Sequence, residues 1–194
     1  MSNLSFALVL YYSRHGATRE LAHQIARGIE ESGLDARIRT VPDAPTDQIA
    51  DDQGTLFVTS DELRQCSALA LGSPTRFGHM ASQLHQFIET TTSEWLSGSL
   101  IDKPAVVFTS SSSLHGGQES TLLSMALPLI HHGMMLCGVP YSTPDLHSTQ
   151  TGGSPYGSSH VAREHNQKLS DEEQRIARSQ GMRLGQISQK LSHG

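Results

Sequence analysis

The chain has 194 residues, of which 36% are hydrophobic and 17% charged, with 19 acidic against 14 basic side chains and a formal charge of -5. That length supports one sizeable core and a single domain over 1–194. The charges are scattered without runs, which excludes the basic footprint of a nucleic-acid or anionic-membrane binder.

The first residues lead into Phe6 to Tyr12, an apolar run without a basic flank and too short to span a bilayer, so a cytoplasmic protein is expected. The same run has the length and the β-branched and aromatic content of a strand covered on both faces, which suggests a parallel sheet. Leu21, Ala22, Ile25, Ala26 and Ile29 recur at helical spacing, and Gly33 follows as a stop, predicting a helix from Thr18 to Ser32. Ala36 to Val41 reads as a second strand, Ser67 to Leu71 as a third, and Met80 to Glu89 as a helix carrying Met80, Leu84, Phe87 and Ile88.

Ala105 to Phe108 is a fourth strand, the segment after Gln118 a helix despite Pro128, and Met134 to Val139 a fifth strand. Five strands alternating with helices imply an α/β fold, a doubly wound five-stranded parallel sheet with helices on both faces. Tyr141 to Leu169, rich in Ser, Thr, Gly, Pro and His, is too long for an ordinary connection and is expected as a loop excursion. Ser170-Asp171-Glu172-Glu173 is a capping-box pattern, and Ile176, Leu184, Ile187 and Leu191 form the apolar stripe of a final helix. Cys66 and Cys137 each sit in an apolar stretch that reads as buried strand, so neither a disulfide nor a metal site is expected of them.

In an open parallel sheet, ligands bind beyond the carboxyl ends of the strands. After the first strand stands Ser13-Arg14-His15-Gly16-Ala17-Thr18, two hydroxyls and a glycine at a helix N-terminus, where free N–H groups and the helix dipole attract a phosphate. The segment has neither the G-x-x-x-x-G-K-[ST] nor the G-x-G-x-x-G pattern of the familiar nucleotide loops. Ser13 and Thr18 also suit plain helix caps, and this loop alone leaves both readings open.

After the third strand, Gly72-Ser73-Pro74-Thr75-Arg76-Phe77-Gly78 offers backbone groups for the edge of a flat heterocycle, apolar area from Phe77, and positive charge from Arg76 for a ring that becomes anionic on reduction. A turn with a surface arginine is the alternative. The fourth strand runs into Thr109-Ser110-Ser111-Ser112-Ser113-Leu114-His115-Gly116-Gly117, a third polar, glycine-containing loop on the same rim, and three together outweigh each taken singly. Eleven histidines raise a metal site, but His131 and His132 are adjacent and no H-E-x-x-H or Cys/His cluster occurs, so none is expected. His131, just before Gly133, suits a helix end as well as a ligand contact.

Leu10-Tyr11-Tyr12-Ser13, the P-T-R-F-G string at Pro74 to Gly78, Gly116-Gly117-Gln118-Glu119, His131-His132-Gly133-Met134 and Gly152-Gly153-Ser154-Pro155-Tyr156-Gly157 occur in that order. Together they resemble the WrbA family of flavodoxin-like NAD(P)H:quinone oxidoreductases across nearly the whole chain. The resemblance implies an FMN cofactor, with Ser13, Arg14, His15, Gly16, Ala17 and Thr18 at its phosphate. Pro74, Thr75, Arg76, Phe77 and Gly78 would meet the isoalloxazine, Ser110, Ser111, Ser112, Ser113, His115, Gly116 and Gly117 its other edge, and His131 would approach the ring.

It further implies Trp95 and His15 on the substrate side, and a homotetramer in which neighbouring subunits help to wall each site, with Tyr141 to Leu169 taking part. The implied reaction is a ping-pong transfer from NADH or NADPH through the flavin to a quinone, with no side-chain nucleophile. Two departures stand out: His15 replaces a tyrosine common in the family, and Ser112-Ser113-Leu114-His115 is bulkier and one residue longer than the usual glycine-rich segment. A one-electron flavodoxin-type carrier and a scaffold that has lost FMN remain the alternatives.

Overall fold

The computed structural model describes residues 5–163 and 168–192. Strand β1 (Phe6–Tyr11) is buried at every position, because Phe6, Leu8 and Leu10 face one hydrophobic layer while Ala7, Val9 and Tyr11 face another. A strand with no solvent side needs no polar alternation, which is why the opening run is continuously apolar. Strands β2 (Asp35–Thr40), β3 (Ala68–Pro74) and β4 (Pro104–Ser111) join it, all parallel, in the order β2-β1-β3-β4. β2 is the edge and mostly half-buried, and its sequence alternates charge with apolar side chains accordingly.

Helices α1 (Ala17–Glu31) and α7 (Asp171–Ser192) cover one face. On the other lie α3 (Ser82–Glu89), α5 (Gln118–His131) and a short α2 (Ser60–Gln65). Two further short helices, α4 (Thr92–Leu96) and α6 (Asp145–Ser148), lie in connections. The doubly wound α/β sheet expected from the alternation is the observed architecture, and the strand ends differ in one useful way. β3 and β4 run on to Pro74 and Ser111, so Ser110 and Ser111, expected in a loop, stand at the end of a strand.

The fifth strand needs correction. Expected over Met134 to Val139, it is realised as β5 (Met135–Leu136), which pairs only with Pro104 and Ala105. Cys137 keeps one ladder bond to the Ala105 carbonyl at 2.8 Å, and the chain then leaves the sheet, so this cysteine is half-buried rather than in a buried strand. Gly138 passes so close to the returning chain that a Cβ there would lie 2.5 Å from the Pro155 carbonyl oxygen. The chain re-enters as β6 (Ser158–Val161), parallel to Phe108–Ser111 of β4. Two separate segments thus fill one strand position, and the stretch expected as a loop over 141–169 contains sheet. Residues 164–167 of that stretch lie outside the described residues.

A single carboxylate fastens the returning segment. Glu173, 1% exposed, accepts from the Gly152 and Val161 amides at 2.9 and 3.1 Å on one oxygen. Its other oxygen accepts from His160 Nδ1 and the Ser170 amide, both at 2.8 Å. The Glu173 amide in turn donates to Ser170 Oγ at 3.2 Å, closing the capping box expected at the start of α7. Burial by itself pushes the Glu173 carboxyl up, but the His160 hydrogen bond and charge and the backbone donors outweigh it and hold the group below its usual range.

Helices α1 and α7 run parallel and nearly touch. A Cβ on Gly28 would lie 2.0 Å from the Arg178 carbonyl oxygen, and one on Gly181 would lie 2.0 Å from that of Ile25. Reciprocal glycines let two backbones meet where any side chain would hold them apart, and this fixes the N-terminus of α1 over the end of β4.

Candidate functional site

The loops that follow β1, β3, β4 and β6 meet at the carboxyl end of the sheet around a cleft of about 670 Å³, within the size range of cofactor pockets. In the first loop, Ser13 Oγ accepts from the Gly16 amide at 3.1 Å and the Arg19 amide at 3.4 Å. Gly16, at φ 92°, turns the chain into the helix in the left-handed region, where a Cβ would be strained. Among the described residues the Ala17 and Thr18 amides donate to no protein acceptor, and both residues line the cleft. Thr18 is buried and shares a 2.8 Å hydrogen bond with Ser110 Oγ, which ties the loop to the end of β4.

After β3 the Thr75 amide donates to the Ser110 carbonyl at 2.7 Å. Arg76 and His79 then exchange backbone bonds of 2.8 and 2.9 Å around Phe77 and Gly78, at φ 51° and 80°. Positive φ at both central residues is the type I′ turn, a place for glycine or asparagine rather than a ring. Phe77 nevertheless occupies it with its side chain fully exposed at the cleft rim. A strained aromatic held out to solvent beside a cleft marks a functional position. The turn is held from behind by the Thr75, Thr109 and Thr121 hydroxyls, spaced 3.2–3.3 Å apart. Gly117 also packs so closely that a Cβ on it would lie 3.2 Å from the Gly78 Cα.

The loop after β4 is pinned by convergence on one carbonyl. Ser111 Oγ, Gln118 Nε2 and the Gly116 amide all donate to the Ser113 oxygen, at 2.8, 2.9 and 3.3 Å. The fourth wall is Ala162 and Arg163, just past β6, where the Ala162 amide donates to the Ser111 carbonyl at 2.8 Å.

Although the chain carries a net charge of -5, the cleft is lined by Arg14, Arg76 and Arg163 and, among the described residues, by no carboxylate. Guanidinium groups that form no ion pair among the described residues, beside free amides at a helix N-terminus, are a donor set suited to phosphate.

Next to it lies an open groove of about 1260 Å³ that shares Arg14 and Arg76 as a common wall and continues past Tyr12, Met80, Trp95 and His131. Tyr12 donates to Asp43 Oδ1 at 2.5 Å, and burial together with that carboxylate pushes its phenol up to about 12, so it stays protonated. Thr91 Oγ1 donates to the Ile88 carbonyl at 2.6 Å and therefore accepts from His132 Nε2 at 2.9 Å. Burial lowers the His132 pKa, so this imidazole is a neutral structural brace under the groove, while its neighbour His131 is exposed to the groove.

The structure thus gathers Ser13, Arg14, His15, Ala17, Thr18, Pro74, Thr75, Arg76, Phe77, Ser110, Ser111, Ser112 and Gly116 around one cleft. Gly16 faces a small cavity on the outer side of the first loop. Gly78, Ser113 and Gly117 shape the walls from behind, His115 stands exposed in the loop after β4 without lining the cleft, and His131 and Trp95 line the groove rather than the cleft. Sequence reasoning missed Ala162 and Arg163. Their signal was the short Ser158–Val161 strand, hidden inside a glycine- and serine-rich stretch.

The flavodoxin family profile matches residues 9–133. The chain is 38% identical over 199 aligned residues to an NAD(P)H dehydrogenase (quinone) of Geobacter sulfurreducens, covering 95% of this chain and 98% of that protein. It is 39% identical, over the same shares, to an NAD(P)H dehydrogenase (quinone) of Syntrophobacter fumaroxidans. The crystal structure of a flavodoxin, WrbA-like protein from Agrobacterium tumefaciens superposes with a TM-score of 0.71 at 23% identity, covering 96% of this chain and 98% of that one.

Proposed function

Since the chain belongs to the flavodoxin family, in its NAD(P)H:quinone oxidoreductase branch, we propose that it binds FMN in the cleft and reduces quinones to hydroquinones at the expense of NADH or NADPH. The observation that carries this reading is a cleft lined, among the described residues, by three arginines and the unpartnered amides of α1 and by no carboxylate. That donor set fits a phosphate monoester, and the cleft volume fits a single flavin nucleotide. Bound there, FMN would supply the two-electron chemistry, taking hydride from a nicotinamide and yielding it to a quinone.

The residues' part is binding, orientation and charge. The Ala17 and Thr18 amides and Ser13 hold the phosphate, the Arg76–His79 turn presents Phe77 and backbone groups to the ring, and Arg76 favours negative charge where it develops. The adjoining groove, lined in part by Trp95, would receive nicotinamide and quinone in turn. No side-chain nucleophile is needed. Leu123, Leu127 and Ile130 form an exposed apolar stripe on α5, which suits self-association; a cytoplasmic homotetramer is the reading, with the subunit count to be checked by light scattering. Among the described residues no helix is long and apolar enough to cross a membrane.

The test is an anaerobic absorbance titration of the purified protein with FMN, followed by NADH or NADPH and then benzoquinone. Bound flavin that bleaches and then recovers is the expected result, with parallel steady-state lines when both substrates are varied. Binding without bleaching by either nucleotide would favour an electron carrier, and failure to bind FMN would leave a scaffold.

A further inference from the structure

Resting on the FMN reading above, we propose that Arg163 is a phosphate-binding residue, closing over the cofactor's phosphate from the side opposite the first loop. Three observations converge on it. The first is its place in the fold: Thr18 bonds to Ser110 at 2.8 Å, and the next residue, Ser111, receives the Ala162 amide at 2.8 Å. The phosphate loop and Arg163 are therefore joined through two neighbouring residues of β4, and both line the same cleft.

The second is charge. Arg163, like Arg14 and Arg76 across the same cleft, forms no ion pair among the described residues. An arginine with no ion pair, in a cleft that no carboxylate lines among the described residues, suits an anion from outside the chain.

The third is backbone strain. Arg163 sits at φ 53°, in the left-handed region where glycine is at ease and a Cβ is not. The position tolerates strain in return for a side chain glycine lacks, and such exchanges cluster at binding sites. The Glu173 latch over-determines the conformation by fixing Val161 two residues earlier.

The Arg163→Gly variant relieves the backbone and deletes the guanidinium, so it separates folding from binding. Its Tm without flavin should equal or exceed that of the wild type. FMN affinity should fall about tenfold or more, the scale of one lost bond to a charged group. Affinity for riboflavin, which has the ring and ribityl chain without the phosphate, should be unchanged, and Arg163→Lys should recover part of the loss. The salt dependence of FMN binding should weaken with the glycine variant.

Unchanged FMN affinity would overturn the assignment, as would equal losses for FMN and riboflavin, which would mean that the residue acts through loop shape. A variant that binds FMN normally but discriminates differently between NADPH and NADH would move the arginine to the nucleotide substrate and also overturn it. A wild-type protein that binds no FMN sinks the cofactor reading itself, a result distinct from all of these.

Discussion

Replacing Glu173 by glutamine should loosen the wall of the cleft without touching the cleft itself. The carboxylate accepts four hydrogen bonds, two on each oxygen, at 2.8–3.1 Å. An amide keeps one accepting oxygen and turns an NH2 group toward two N–H donors, so two of the four bonds are lost. At about 1.5–3 kcal/mol for each bond to a charged acceptor, the gross loss is roughly 3–6 kcal/mol. No longer burying a charge offsets part of that, leaving about 3 kcal/mol.

With a urea m-value near 2 kcal/mol/M, the unfolding midpoint at neutral pH should drop by about 1.5 M. The pH dependence carries the sign. The folded carboxyl titrates below the unfolded value of about 4.5. Its stabilisation is therefore complete above that value and vanishes as pH falls through the folded pKa. The gap between wild type and Glu173→Gln should accordingly close on acidification below about pH 4.5, with both followed by circular dichroism. A midpoint shift worth under about 1 kcal/mol at neutral pH, or a gap that does not narrow in acid, would refute the view that this carboxylate fastens the segment.

Tyr12 ionises near 12, so the folded state keeps its proton above the ordinary phenol value of 10. Its contribution is intact below pH 10 and is lost between about 10 and 12. Burial also raises the Tyr11 phenol, so ultraviolet difference titration should show late-titrating phenols, one of which disappears in Tyr12→Phe. Gly181→Ala places a methyl 2.0 Å from the Ile25 carbonyl oxygen. Forcing α1 and α7 apart should cost about 1–3 kcal/mol, read as a lower Tm. Trp95 is half exposed on the groove, so Trp95→Ala should leave Tm within about 2 °C, as surface changes do, while raising KM for benzoquinone. A fall in Tm with an unchanged KM would assign this ring to the core.

The central sheet was legible because buried parallel strands are written as unbroken apolar runs, and Phe6 to Tyr11 and Ala105 to Phe108 are such runs. The first loop of the cleft was legible because Ser13, Gly16 and Thr18 stand between a strand and a helix. The fifth strand was not, since its two halves are divided in sequence and each is too short to show a period. α2 escaped notice although Thr59-x-x-Glu62 is a capping box with both bonds made. Six residues carry little apolar pattern. The Phe77 turn could be placed but not characterised, because nothing in a one-dimensional pattern announces positive φ at an aromatic residue.

The two-piece fifth strand also sets an order of assembly. β1 to β4 are joined by helical crossovers, whereas Ser158 finds Phe108 only after a longer connection has closed, and the Glu173 latch waits for α7. Pairings between residues far apart in sequence form late. A nascent chain therefore has three walls of its cleft in place before the fourth arrives, and capture of the ligand belongs to the end of folding. Ligand binding energy then falls on the unit of the fold that forms last and opens first. Depletion of cofactor during expression should accordingly be felt as proteolysis around 137–163 rather than as failure of the sheet.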